Sequence, residues 1–313
     1  MHRANASVLI VVGLLACASG GPRAALGWSL GGEAHVFVND DDFARHFYHQ
    51  LTGEGQLADA LAGHEIVAVD ARNARSATVL SANGAAAARL TLARFHAPRT
   101  CGYSGIVTEL VFAFPPGGAA GRSAPPSHVS VVALLDQPPV AGGAGKPRPA
   151  LSTADATALI RRVADRAEVS TRGPTIGLLH SPTLNADQAA DAGEVVALRS
   201  QYAVGFRATF SATVAENKMD TTLITGVAVT EPDLHHLRWV VRPVRLRLVR
   251  GMIARITSGV RYSLRGAVAS AGGGALLLVD EIADVSPRDS RVTAVDVATR
   301  RVVAAQPLAL RCP

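Results

Sequence analysis

The sequence is almost without lysine and short of aromatic rings. Of 31 basic residues only Lys146 and Lys218 are lysine, and Trp, Tyr and Phe number 2, 4 and 8 in 313 residues. So few rings argue against a stacking platform for bases or sugars. Scarce lysine beside abundant Ala, Gly and Arg looks like the bias of a GC-rich genome, so the net charge of +6 says little about phosphate contacts and no nucleic acid is expected as a partner. Cysteine is scarce as well, at three residues, which leaves folding to a buried core rather than a dense disulfide framework. Neither His-Glu-x-x-His nor paired-Cys spacing occurs, and no metal or cofactor is expected. What is plentiful is aliphatic: 48% of residues are apolar, which excludes a mostly disordered or collagen-like chain.

The N-terminus carries an address. His2 and Arg3 precede an apolar run from Val8 to Ala16, the layout of an export signal over residues 1–18 and too short to span a bilayer. Leu14-Leu15-Ala16-Cys17 resembles a bacterial lipobox, which makes Cys17 the expected lipidation site and the membrane surface the expected partner. Plain secretion is the alternative, with Ala16-Cys17-Ala18 as a small-x-small cleavage site before Ser19. Either way Cys101 and Cys312 remain as a pair in an oxidising compartment, so a disulfide between them is expected. The expected location is the bacterial cell envelope, membrane-anchored, with a soluble periplasmic or secreted form as the alternative.

Beyond the address, Gly- and Ala-rich residues 19–32 read as a flexible tether. Residues 33–136 read as an N-terminal α+β region. Asp40 or Asp41 can cap a helix whose Phe43, Phe47 and Leu51 share a face. Strands are expected at Ile66 to Ala71, Ala77 to Leu80, Ala87 to Phe95, Gly105 to Phe114 and His128 to Leu135. A Pro/Gly-rich linker, 137–150, is the candidate domain boundary. Residues 151–313 then read as a helix followed by antiparallel strands. Ser152 and Asp155 form the capping pair, and Leu159, Ile160, Val163 and Ala167 line the helix's apolar face. Strands follow over Val195 to Phe206, Thr209 to Val214, Thr222 to Thr230, Leu237 to Val249, Val260 to Ala269 and Ala275 to Ile282, with a final hairpin. The expected class is α+β, mainly antiparallel sheet with two or three helices and a strand-rich C-terminal half.

Positive charge is concentrated in one segment. Leu234 to Val279 holds no Asp or Glu but eight arginines, and removing these eight from the 31 basic residues leaves 23 against 25 acidic. Within the segment Val244-Arg245-Leu246-Arg247-Leu248 alternates strictly, placing the arginines on one face of a strand. Guanidinium groups bind carboxylate or phosphate bidentately, so Arg242, Arg245, Arg247 and Arg250 are the candidate anion-binding residues. The competing reading pairs the segment with Asp280, Glu281 and Asp284 inside the fold.

No catalytic residues are assigned. His46 and His49 lie away from the apolar face of their helix and have no third ligand, and Gly102-Tyr103-Ser104-Gly105 lacks the second glycine of a nucleophile elbow. The expectation is therefore a lipid-anchored, non-catalytic binding or structural protein whose partner is another envelope protein or an anionic glycan. An exported hydrolase with a dispersed active site is one alternative. The other is a binder of an anionic glycan, a lipid head group or an acidic partner through the arginine strand.

Overall fold

The computed structural model describes residues 24–55, 58–67, 75–115, 129–135, 142–143, 146–171, 183–184, 193–215, 218–249, 255–256, 259–270, 274–283 and 286–312. Cys17, Arg250 and Asp284 lie outside these residues, as does the side chain of Arg247. The chain is α+β with mainly antiparallel sheet. No described helix is long and apolar enough to cross a membrane.

The N-terminal half is built from β1 (Ala24–Leu30), β2 (Glu33–Val38), α1 (Asp41–Thr52), α2 (Ala58–Leu61), β3 (Glu65–Val67), β4 (Ser76–Ser81), β5 (Gly84–His96), β6 (Val107–Ala113), β7 (Val131–Leu134) and β8 (Gly142–Gly143). Strands pair in the order β5, β4, β7, β1, β2, β6, and β6 returns to pair with β5, which closes the sheet into a barrel. Closure satisfies both edges of every strand in the ring. Alternate residues point inward: Val36 and Val38, Ala77 and Val79, Ala88 and Leu90, Leu110 and Phe112, and Val131 and Ala133 form one buried cluster. Helix α1 packs Phe43, Phe47 and Leu51 onto it. Asp40 caps this helix, its Oδ1 accepting the Phe43 N–H at 3.0 Å, and Gly53 ends it in the left-handed region at φ 78°.

Residues 24–30 are not tether, because β1 lies between β2 and β7 with Ala25, Leu26 and Trp28 buried. The small residues that suggested flexibility are there for packing. A Cβ on Gly27 would collide with the His35 carbonyl oxygen, so only glycine lets β1 and β2 approach at this point.

The C-terminal half comprises α3 (Thr153–Thr171), β9 (Thr183–Leu184), β10 (Glu194–Ala197), β11 (Tyr202–Ala215), β12 (Lys218–Thr230), β13 (Arg238–Val249), β14 (Arg255–Ile256), β15 (Val260–Ala269), β16 (Ala275–Ala283), β17 (Arg291–Asp296) and β18 (Val302–Pro307). The strands expected over Val195 to Phe206 and Thr209 to Val214 divide elsewhere, into β10 and a β11 that runs unbroken from Tyr202 to Ala215. Leu198–Gln201 forms a turn, with the Leu198 N–H donating to the Gln201 carbonyl at 2.9 Å, because polar Arg199 and Ser200 have no place in the core. Strands β10 to β14 form one sheet and β15 to β18 another. Helix α3 covers one face of the first, packing Leu159, Ile160 and Val163 on Val204, Phe206 and Ile224. The Ser152 hydroxyl donates to Asp155 at 2.6 Å and accepts the Asp155 N–H at 3.1 Å, the capping pair read from the sequence.

The other face of that sheet packs Ala203, Val227 and Val229 on Leu264, Leu277 and Val279 of the second sheet. The second sheet in turn packs Leu276, Leu278 and Val292 against Leu26, Leu80 and Val132 of the barrel. A single apolar cluster therefore crosses the 137–150 linker. The halves are also joined covalently by the disulfide between Cys101 and Cys312, as the cysteine count indicated.

Candidate functional site

Three sets of hairpin turns converge where the barrel meets the C-terminal sheets. Ala82 contributes from the β4–β5 turn, Leu198 to Gln201 from the β10–β11 turn, and Ala269, Gly274, Val297 and Ala298 from the β15–β16 and β17–β18 ends. They enclose a cleft of about 380 Å³, within the size range of small-molecule sites. Its walls are mostly Ala, Val and Gly, and these short side chains leave the space open. The polar lining residues are Arg199, Ser200, Gln201 and Arg238; among the described residues no Asp or Glu lines the cleft. Arg199 and Ser200 are exposed and Arg238 is half-buried. Neither guanidinium forms an ion pair among the described residues.

The turn that presents Arg199 is held from behind. The Arg148 N–H donates to the Leu198 carbonyl at 2.9 Å, and Arg148 Nη1 donates to the Ser200 carbonyl at 3.0 Å. The Arg148 guanidinium sits over the Tyr202 ring, 5.6 Å from its centroid, while the Tyr202 hydroxyl donates to the Pro149 carbonyl at 2.9 Å. Part of the Pro/Gly-rich linker thus braces one rim of the cleft.

The arginines of the acid-free segment whose side chains are described have separate surroundings. Arg245 pairs in register with Ile224, which puts it on the α3 side of the sheet, where its Nη2 lies 3.7 Å from Oε1 of the buried Glu168. Leu246 is buried on the opposite face, as strict alternation requires. Arg242 is exposed. Arg265 meets Asp280 bidentately at 2.8 and 3.0 Å, while Glu281 pairs with Arg291, which lies outside the acid-free segment. Among the described residues Arg238, at the start of β13, is the arginine of that segment that reaches the cleft. Its cleft neighbour Arg199 lies 39 positions earlier and gave no sequence signal, because the pairing depends on how the β10–β11 turn meets β13.

A second polar constellation lies on the outer face of the barrel. Glu109, the one charged residue of β6, is almost fully buried. Its Oε1 bonds His35 Nδ1 at 2.9 Å, and its Oε2 bonds His96 Nε2 at 2.8 Å and Arg94 Nη1 at 2.9 Å. Burial opposes ionisation here, but the hydrogen bonds from His35 and His96 and the charge of Arg94 outweigh it and lower the carboxyl to about 2. Arg94 also reaches Glu65 at 3.1 Å, and Trp28 stacks beside His35 with centroids 6.1 Å apart. The sequence signal for this cluster is a lone carboxylate in Val107-Thr108-Glu109-Leu110-Val111, since a buried charge requires partners.

Chemically, the Glu109 carboxylate is occupied by its own neighbours. No hydrogen bond joins a Ser, Thr or Tyr hydroxyl to an imidazole nitrogen among the described residues; the Thr230 hydroxyl reaches only the His235 backbone carbonyl, at 3.5 Å. His46 contacts Gln50 on the exposed side of α1 at 2.6 Å, and Asp40, Asp41 and Asp42 form the start of that helix, with the Asp41 carboxylate accepting the Ile106 N–H at 2.8 Å. No family model matches the chain, and no curated protein or solved structure matches it either.

Proposed function

We propose that this chain is an exported, non-catalytic binding protein, held at the membrane through Cys17, that takes a small amphipathic anion into the cleft between barrel and C-terminal sheets. The observation that carries the reading is the cleft's charge: two arginines and no Asp or Glu among the described lining residues, on an apolar wall of Ala, Val and Gly. A carboxylate or phosphate monoester on a short aliphatic body matches this chemistry, with the head group between Arg199 and Arg238 and the tail along Val268 and Val297. Among the described residues the aliphatic walls hold no aromatic ring, which disfavours a glycan. The disulfide is consistent with an oxidising compartment outside the cytoplasm.

A thermal-shift panel tests the reading. Octanoate and octyl phosphate are compared with the uncharged 1-octanol and with inorganic phosphate. Saturation at about 100 times Kd stabilises a folded protein by about 2.7 kcal/mol, worth several degrees in Tm for a chain of this size. One of the two octyl anions is expected to raise Tm, with 1-octanol and inorganic phosphate much weaker. Equal shifts with all four compounds, or no shift with either octyl anion, reject the assignment.

A further inference from the structure

At the end of β5 a ring nitrogen of His96 and the Sγ atoms of Cys101 and Cys312 all lie within 4.8 Å of one another. Cys101 and His96 are buried, while Cys312 is half-exposed. His96 is not free to turn away, because its Nε2 is bonded to Glu109. Glu109 is itself fixed by His35 and Arg94. With Nε2 committed to a carboxylate, Nδ1 is the nitrogen left to face a metal, the same carboxylate–histidine arrangement that orients imidazole ligands in metal sites. The C-terminal segment has its own attachments beside the disulfide. Leu310 is buried among Trp28, Phe37 and Val107, and the Arg311 N–H donates to the Cys101 carbonyl at 3.1 Å.

We propose that reduction of the Cys101–Cys312 disulfide turns this corner into a Cys₂His site for zinc. A dithiol reductant supplies two electrons and two protons. The S–S bond breaks, two protein thiols form, and the reductant leaves as its own disulfide. Zn²⁺ then displaces both thiol protons to solvent and binds two thiolates and the His96 Nδ1, with water from the half-exposed Cys312 side as fourth ligand. Two thiolates neutralise the dication, which suits a site buried at Cys101 and His96. The corner thus holds either a covalent cross-link or a metal cross-link between the same two segments, depending on redox state.

Cobalt(II) is the optical probe for this zinc site, applied to the full chain in oxidised and dithiol-reduced form, with near-UV circular dichroism reporting tertiary structure. The reduced protein is expected to keep its fold and to bind one Co²⁺ with a thiolate charge-transfer band. Zn²⁺ should bleach that band, and the oxidised protein should not show it. His96→Gln keeps a donor towards Glu109 but removes the imidazole ligand, and should weaken Co²⁺ binding by more than tenfold, at least as much as loss of an outer-shell partner typically does, roughly 10- to 100-fold. Loss of tertiary structure on reduction overturns the proposal. So does a folded, reduced protein without the band, the same band in the oxidised protein, or unchanged affinity in His96→Gln.

Discussion

Glu109→Gln is the substitution that most sharply separates the electrostatics of the barrel wall from its packing. The carboxylate is almost fully buried and accepts from His35, His96 and Arg94. Gln has the same shape but cannot accept at both ends, and it presents an amide N–H₂ to groups that are themselves donors. Breaking a buried ionic cluster by removing one partner costs about 3–5 kcal/mol, so a loss of about 3 kcal/mol or more is expected at neutral pH. The pH dependence gives an independent figure. The Glu109 carboxyl is lowered from 4.5 to about 2 in the folded protein. At about 1.4 kcal/mol per pH unit that is stabilisation of about 3 kcal/mol. Because the folded value is the lower one, the unfolded chain takes up the proton first. The stabilisation is therefore complete well above pH 4.5 and drains away as pH falls from 4.5 towards 2. Urea unfolding of wild type and variant at several pH values from 7 to 2.5 follows the group, since carboxyls outside the cluster cancel in the difference. The gap between the two proteins should narrow by most of 3 kcal/mol across that window. A gap that is constant with pH, or absent at pH 7, refutes the account of the cluster.

Other perturbations follow from single contacts. Asp40→Ala removes the cap of α1 and should cost about 1 kcal/mol, read as a lower urea midpoint with unchanged slope. The double variant Cys101→Ser, Cys312→Ser opens a bridge between residues 211 apart. In the chain-entropy model that lowers unfolding free energy by about 5 kcal/mol; in the reduced wild type zinc should restore part of the loss, and in the double variant none. Arg245→Gln removes a partner of the buried Glu168, so it should reduce stability while leaving the anion-induced thermal shift as in wild type. A loss of that shift in Arg245→Gln would move the binding site to the arginine strand.

Features written in local sequence were legible. The Asp40 cap with Phe43, Phe47 and Leu51, and the Ser152–Asp155 pair with Leu159, Ile160 and Val163, depend on contacts within one or two helical turns. The Cys101–Cys312 pair was legible because only two cysteines remain once Cys17 is assigned to the N-terminal segment. What depends on long-range pairing was not. Strand β1 looks like tether because Ala24, Ala25 and Gly27 carry no pattern of their own; β2 and β7 supply the reason for their small size. Barrel closure rests on β5 meeting β6, which alternation in either strand leaves undetermined. Glu109 could have been flagged as a lone acid in a mostly apolar strand, but His35 is 74 positions away and nothing in the sequence names it. The arginine segment shows the same limit. Its charge excess is visible in the sequence, yet Arg245 turns to Glu168 and Arg265 to Asp280, and the cleft draws its second guanidinium from Arg199, outside the segment.

The reading of the cleft as an anion site rests on Arg199 and Arg238, and calorimetric titration with octanoate and octyl phosphate addresses them directly. Wild type should bind one equivalent of at least one of these anions, and the double variant Arg199→Gln, Arg238→Gln should bind it at least tenfold more weakly with its Tm unchanged in the absence of ligand. Equal affinity in wild type and the double variant, or no binding of either anion by wild type, shows that the cleft is not an anion-binding site.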